Sequence, residues 1–248
     1  MRTIGIIGGM SWYSTAEYYR VLNTAVQERL GGHHSAHVLL ESLDFAAVRE
    51  LQLADDWDGA GELLAAAGRR LEAAGADAVL IATNLMHKVA PAVEAAIGVP
   101  LLHIADAVAG VATAAGHRTL GVVGTRWVMA ETFYADRLAR HGIGALVPSA
   151  AEQEEVDRII FDELTQGEVR EDSRARLLAV VDGLRAAGAD AVVLACTELE
   201  LALPAAGGPV PLVDSARVHA LAAAEHALAE APVASPAPDL VSTGGADA

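Results

Sequence analysis

The chain's one cysteine, Cys196, sits near the end of the phrase "LRAAGADAVVLACT" at 184–197, and Thr83 holds the matching place in a near copy, "LEAAGADAVLIATN" at 71–84. A thiol with a pKa of about 8.5, lowered further by a helix N-terminus or a nearby cation, can supply a thiolate base at neutral pH. A threonine hydroxyl is far too weak an acid for that; it can relay a proton or hold a water. If the two copies face each other, thiol and hydroxyl approach one small ligand from opposite sides and reach both faces of a prochiral carbon. A single cysteine allows no internal disulfide, which suits a reducing cytosol and makes the thiol either a packing filler or a chemical tool.

Donors for an anionic ligand cluster at comparable places. "GGMSWYST" at 8–15 turns tightly after an apolar run and leads into a helix expected to begin near Thr15, so its backbone N–H groups can cradle a carboxylate. It lacks the third glycine of a dinucleotide fingerprint and the Gly-Lys-Ser/Thr of a Walker loop. Asn84, Thr125 and Thr197 add short polar side chains at equivalent strand ends. His33, His34 and His37 in "GGHHSAH" lack a second ligand group, and no metal is expected. His87 and His103 read as hydrogen-bonding groups near a domain interface, and Trp12, Trp57 and Trp127 as packing around a cleft mouth or a subunit interface.

Positioning these groups requires a duplicated frame. "TIGIIGG" at 3–9 answers "TLGVVGT" at 119–125, and "VPLLHIADA" at 99–107 answers "VPLVDSARV" at 210–218, in the same order and at nearly the same spacing as the doubled phrase. Alanine-rich composition could imitate one of these landmarks, not all three in order. Short β-branched runs predict strands at 3–8, 37–42, 77–82 and 100–102, then at 119–124, 144–147, 190–195 and 211–213; stretches such as 58–74 and 171–187 have helical length and composition. Alternating strands and helices imply parallel sheets with right-handed crossovers, whose ligands bind beyond the strands' carboxyl ends. The expected fold is therefore α/β, with two pseudo-symmetric parallel-sheet domains facing each other across a cleft. Residues 1–113 form the first domain, completed by a C-terminal helix at 214–230; residues 114–213 form the second; 231–248, rich in Pro, Gly, Ser and Ala, is expected as a disordered tail.

With 248 residues and 53% hydrophobic content the chain can bury a sizeable core. Its net charge of −16 disfavours nucleic acid and anionic membrane surfaces, so an anionic ligand must be held by local donors. The apolar run at 4–7 is interrupted too soon by Gly8, Gly9 and Ser11 to be a signal-peptide core, and no segment approaches the roughly 18 uninterrupted apolar residues of a membrane span. A cytoplasmic protein is expected.

The segments "IGIIGGMSWYSTAEYYRVLN", "TNLMHKVAPAVE", "VPLLHIADA" and "LACTELELAL" closely resemble the aspartate/glutamate racemase family, over about residues 1 to 230. The resemblance implies a cofactor-independent amino-acid racemase in which two cysteines, one per half, flank the substrate α-carbon. Here Cys196 is kept and Thr83 stands where many members have the first cysteine; some racemases of the family carry threonine there. The resemblance further implies that Cys196 deprotonates L-aspartate or L-glutamate and that D-substrates turn over poorly. It makes Met10, Ser11, Asn84, Thr125 and Thr197 the substrate-binding shell, gives Gln52 in "RELQLADDWD" to side-chain recognition, and gives Glu198 to orienting Cys196 or the substrate ammonium. Some relatives carry a lysine near "LTQGE", where this chain has Gln166; Lys88 and Arg126 are the candidate replacement cations. The expected partner is a small dicarboxylic amino acid, with no cofactor, and a homodimer is the expected assembly. The alternatives are a single-cysteine decarboxylase of a substituted malonate, a cis/trans isomerase of a dicarboxylate such as maleate, and a non-catalytic amino-acid-binding protein.

Overall fold

The computed structural model describes residues 1–203 and 210–229; the expected tail at 231–248 lies outside the described residues. Eight strands run β1 (Ile4–Gly8), β2 (Val38–Ser42), β3 (Ala78–Ile81), β4 (Leu101–Leu102), β5 (Thr119–Gly124), β6 (Gly144–Leu146), β7 (Ala191–Ala195) and β8 (Leu212–Asp214). The helices are α1 (Trp12–Leu30), α2 (Phe45–Leu53), α3 (Trp57–Ala73), α4 (Ala90–Ala96), α5 (Ile104–Ala114), α6 (Arg126–Ala130), α7 (Phe133–Ala139), α8 (Ala150–Asp162), α9 (Glu171–Ala186), α10 (Leu199–Ala202) and α11 (Ser215–Leu228), with 3₁₀ turns at Leu85–Val89 and Leu164–Gln166.

The strands form two four-stranded sheets, ordered β2-β1-β3-β4 and β6-β5-β7-β8, with every pairing parallel. The second order is the first shifted by four strands, as the repeated landmarks require. β1, β3 and β7 are buried at every residue, which is why they read as unbroken apolar runs rather than as alternating ones.

The doubled phrase has a structural task in each half. Helices α3 and α9 each end in a Schellman turn: Gly75 and Gly188 take positive φ values of 99° and 105°, and the next amide reaches back five residues, Ala76 to the Leu71 carbonyl and Ala189 to that of Leu184. The following aspartate clamps the start of the neighbouring strand. Asp77 accepts from the Thr3 N–H at 2.6 Å, and Asp190 accepts from those of Arg118 and Thr119 at 2.7 and 2.9 Å. "AAGAD" thus ends a helix and sets the register of the strand that carries Thr83 or Cys196.

The halves also exchange helices. Ile104, Ala105, Val108, Ala109 and Ala112 of α5 lie in one core with Leu120, Val122, Ala191 and Val193 of the second sheet. Ala216, Ala220, Ala223, Ala224 and Ala227 of α11 pack with Ile4, Ile6, Tyr18 and Leu80 of the first. Alanine at these contacts lets α11 lie close against α1. Each sheet is therefore covered partly by the helix that follows the other sheet's last strand, which ties the two halves together next to their strand ends.

Helix α1 begins at Trp12, three residues earlier than its sequence suggests, because Ser11 is its N-cap and accepts from the Ser14 N–H. The acidic stretch "AEQEEVDR" opens α8, where Ser149 and Glu152 form a capping box. Among the described residues no helix is long and apolar enough to cross a membrane.

Candidate active site

Cys196 follows β7 directly, and Thr197 and Glu198 make the turn into α10. The Cys196 thiol donates to Glu198 Oε2 at 3.1 Å, the Thr197 hydroxyl donates to the same oxygen at 2.7 Å, and the Ser11 hydroxyl donates to Glu198 Oε1 at 3.3 Å. Ser14, in the first turn of α1, donates to Thr197 Oγ1 at 2.9 Å. The turn after β1 and the turn after β7 are thus joined side chain to side chain, with Glu198 as the shared acceptor. The first of these turns is tight because Gly9, at φ 89°, passes so close to Leu43 that a Cβ would lie 2.1 Å from its carbonyl oxygen, and Thr15 Oγ1 accepts from the Gly9 N–H at 2.8 Å.

Burial pushes the Cys196 thiol well above its ordinary pKa, and the Glu198 carboxylate raises it further through its charge and by accepting the thiol's proton in a hydrogen bond. This is opposite to the expectation of a lowered thiol pKa. The four-residue α10 offers little dipole, and the group that reaches the sulphur is an anion.

Thr83 lies just beyond β3 and is held differently. Its carbonyl accepts from His87 Nδ1 at 2.8 Å, while its hydroxyl makes no hydrogen bond to the described protein. The adjacent Asn84 is buried and donates to Ser215 Oγ at 3.0 Å; Ser215 in turn donates at 2.7 Å to the carbonyl of Leu194, two residues before Cys196. This bridge brings the two doubled strand ends together. Asn84 Oδ1 and Thr125 Oγ1, the latter at the N-cap of α6, are both buried without a hydrogen-bond partner. An unsatisfied buried polar atom costs about 1–3 kcal/mol, and these two, which share that state with Tyr134 Oη and Glu163 Oε2, lie at the ends of the strands.

Behind Thr83 lies a buried histidine cluster. His87 Nε2 accepts from the Ile104 N–H at 3.2 Å, which leaves Nδ1 as the protonated nitrogen that donates to Thr83. The His87 ring packs 4.4 Å from that of His103 and 5.7 Å from that of His219. His103 caps α5 through the Ala105 N–H, and His219 takes the Tyr18 hydroxyl on Nδ1 at 2.8 Å and donates from Nε2 to the Leu102 carbonyl at 2.7 Å. Burial holds all three rings neutral: His87 well below its ordinary pKa, His103 at about 3 and His219 at about 4.

The remaining sequence candidates divide. Met10 is buried in the first half's core, so only its backbone is available to a ligand. Thr197 is engaged with Glu198 and Ser14, which makes it a brace for the carboxylate. Gln52 is buried on α2 with both ends of its amide occupied: Nε2 donates to Met86 Sδ at 3.1 Å, and Oε1 accepts from Arg49 at 3.1 Å. Lys88 is neutralised by Glu131 at 2.7 Å and lies 3.7 Å over the Trp57 ring, which packs edge-on against Trp127. Arg126 is exposed and stacks on Trp127, and Gln166 is exposed, with no charge to offer.

A further cation, which no motif in the sequence singles out, is Arg49. Its guanidinium crosses from α2 to the second half, 4.3 Å over Phe161 of α8 and 5.5 Å from Trp127, and among the described residues no carboxylate forms an ion pair with it. Burial lowers its pKa from the ordinary arginine value, the nearby charge of Asp157 acting in the other direction. Its spacing of three from Gln52 on a helix was the available signal.

The sequence matches the model of the family described as Asp/Glu/Hydantoin racemase over residues 7–223. Among solved structures, a candidate Asp/Glu racemase from Yersinia pestis is 44% identical, with a TM-score of 0.88, over 92% of this chain and 100% of that one. An aspartate racemase homologue from Pyrococcus horikoshii OT3 is 32% identical, with a TM-score of 0.80, over 92% and 99%. The Picrophilus torridus aspartate racemase, at 20% identity and a TM-score of 0.71 over 92% and 94%, shares the fold. At the level of the family the activity is amino-acid racemisation, an isomerase reaction. The chain belongs to the Asp/Glu/Hydantoin racemase family.

Proposed function

We propose that the protein racemises an acidic amino acid without a cofactor, preferring L-aspartate or L-glutamate, with Cys196 as the base and Thr83 on the opposite face. The observation that carries this reading is the Cys196–Glu198 hydrogen bond, set beside the unpartnered Asn84 Oδ1 and Thr125 Oγ1. In the empty site Cys196 is a thiol. A substrate ammonium placed at Asn84 Oδ1 and Glu198 offsets the negative field at the sulphur, and Glu198 Oε2 takes the thiol's proton. The thiolate then removes the α-proton while the C–H electron pair moves into the α-carboxylate. That charge is met by the Thr125 hydroxyl and the N–H groups of the Met10–Ser11 turn, in the manner of an oxyanion hole. The Thr83 hydroxyl delivers a proton to the other face and regains one from water; the hydroxide so left is neutralised by the proton that Glu198 had taken, which restores the Glu198 carboxylate beside the Cys196 thiol. The distal carboxylate falls to Arg49, oriented by Gln52. As a hydroxyl, Thr83 donates to a carbanion far better than it abstracts from Cα, so α-proton exchange is faster from the L-form than from the D-form, while inversion, between enantiomers of equal free energy, has the same kcat/KM in both directions.

The test is proton NMR in deuterated water, following the α-proton of each enantiomer of aspartate and glutamate. Loss from an L-substrate that is much faster than from its D-form is the expected result. No exchange from any of the four overturns the reading. One observation favours a second reading: a protonated Cys196 suits an enzyme that needs only to return a proton after decarboxylating a substituted malonate. Release of carbon dioxide without exchange of amino-acid α-protons would select it.

A further inference from the structure

We propose that His87 is a positioning residue that holds Thr83 in place for the return of the proton, and so governs inversion at the α-carbon more than removal of the α-proton. The inference rests on the racemase reading above. Thr83 has left the strand ladder: its amide bonds locally to the Ile81 carbonyl at 2.9 Å, and its hydroxyl has no protein partner among the described residues. The bond that anchors its peptide to the fold is the one from His87 Nδ1 to its carbonyl, at 2.8 Å. The other ring nitrogen accepts from Ile104, the first residue of α5 and one of the helix-start donors that no intrahelical carbonyl can serve.

The imidazole therefore ties the Thr83 peptide to a helix embedded in the second sheet's core. It cannot turn over without stranding a donor and an acceptor together. The rings of His103 and His219 close against it, and burial keeps the His87 ring itself neutral, so that it donates from one nitrogen and accepts at the other. Cys196 takes no part in these bonds, since its thiol is held by Glu198. Removing His87 should consequently disturb one face of the substrate and spare the other. A misplacement of about 1 Å can cost on the order of a hundredfold in a positioned step.

The experiment uses the full-length protein in deuterated water with L-aspartate and L-glutamate, measuring α-deuteration of the L-form by NMR and appearance of the D-form by chiral chromatography. In His87→Ala, Cys196 still exchanges the α-proton and returns a deuteron to the face it came from. The ratio of exchange to inversion should therefore rise about tenfold or more at little-changed KM. In His87→Asn the side-chain amide presents an N–H at the place of Nδ1, and the ratio should return towards the wild-type value. Exchange and inversion falling together in both variants, or failure of asparagine to restore the ratio, overturns the proposal. Imidazole nitrogen NMR of the wild-type protein gives a readout independent of turnover and of variant folding. Protonation on Nδ1 alone is expected at neutral pH, and the opposite tautomer or a charged ring overturns the assignment. A wild-type protein with no exchange overturns the racemase reading and this inference with it, whereas normal wild-type exchange with an unaltered ratio in the variants overturns the role of His87 alone.

Discussion

The ends of β7 and β3 follow almost the same spelling and are wired in opposite ways. At Cys196 the reactive side chain itself is held, its thiol bonded to Glu198 within a network that reaches Ser11 and Ser14 in the other half. At Thr83 the backbone is held, by His87, and the hydroxyl is left without a protein partner among the described residues. A duplicated frame thus repeats the place of a group without repeating its acid–base character, because the nearby residues that set that character, Glu198 after Cys196 and His87 after Thr83, are not repeated between the copies.

Removing each group in turn should give the largest effects and separate the two strand ends. Cys196→Ala should lower α-proton exchange from an L-substrate by about a thousandfold or more, the upper range for a positioned general base. Thr83→Val should leave much of that exchange and remove inversion; equal losses of both in the two variants would show that the two ends act alike.

Glu198→Gln should follow, with exchange lowered by about a hundredfold, because an amide can accept the thiol's hydrogen bond but cannot take its proton. The same variant should bring the Cys196 pKa down, since the anion beside the thiolate is gone; the pH dependence of alkylation by iodoacetamide measures this. A thiol that titrates higher in the variant would contradict the assigned geometry.

Arg49→Met should raise KM for the dicarboxylic substrate about tenfold to a hundredfold with a smaller change in kcat, as expected for loss of charge-assisted hydrogen bonds made alike in ground and transition states. Lys88→Met should do less, because Glu131 already neutralises that ammonium.

The smallest expected effect concerns acid. His103 and His219 titrate at about 3 and 4 in the fold, and His87 also well below normal, against about 6.5 when unfolded. Between those limits the unfolded chain binds more protons, so the stability these rings contribute is complete above about pH 6.5 and is lost progressively as pH falls towards 3 to 4. The charges facing the cluster are those of Arg137, Arg140, His141 and Asp106. Thermal unfolding should thus move to lower temperature between pH 7.5 and 5. Amide exchange at Thr83 and Asn84 should rise before that at Cys196, because the cluster lies behind the first of the two strand ends. Simultaneous loss at both would mean that the halves unfold as one unit.

Much of this frame could be read along the chain. Runs such as "AVLI" and "AVVLA" are buried on both sheet faces, so they are apolar throughout, and the glycine and aspartate of "AAGAD" act on residues nearby or on a neighbouring strand whose position the repeat already indicates. Cys196 and Thr83 stood out for the same reason: strand ends in parallel sheets are places, and a repeat names the place twice. Arg49, His219 and Ser215 did not stand out. Arg49 is distinctive because it is partly buried without an ion pair among the described residues, and His219 and Ser215 because α11 carries them across to the first sheet.

The parallel α/β architecture, the two halves and the pair of strand-end positions were legible along the chain, since these follow from local periodicity and from similarity between distant segments. Tertiary packing set the rest: that Glu198 accepts from the thiol and raises its pKa, that Thr83 is held through its backbone, and that the partly buried Arg49 has no ion pair among the described residues. Those properties depend on burial and on how the turns after the strands aim their side chains, and hydrogen bonds and electrostatic interactions act through space rather than along the backbone.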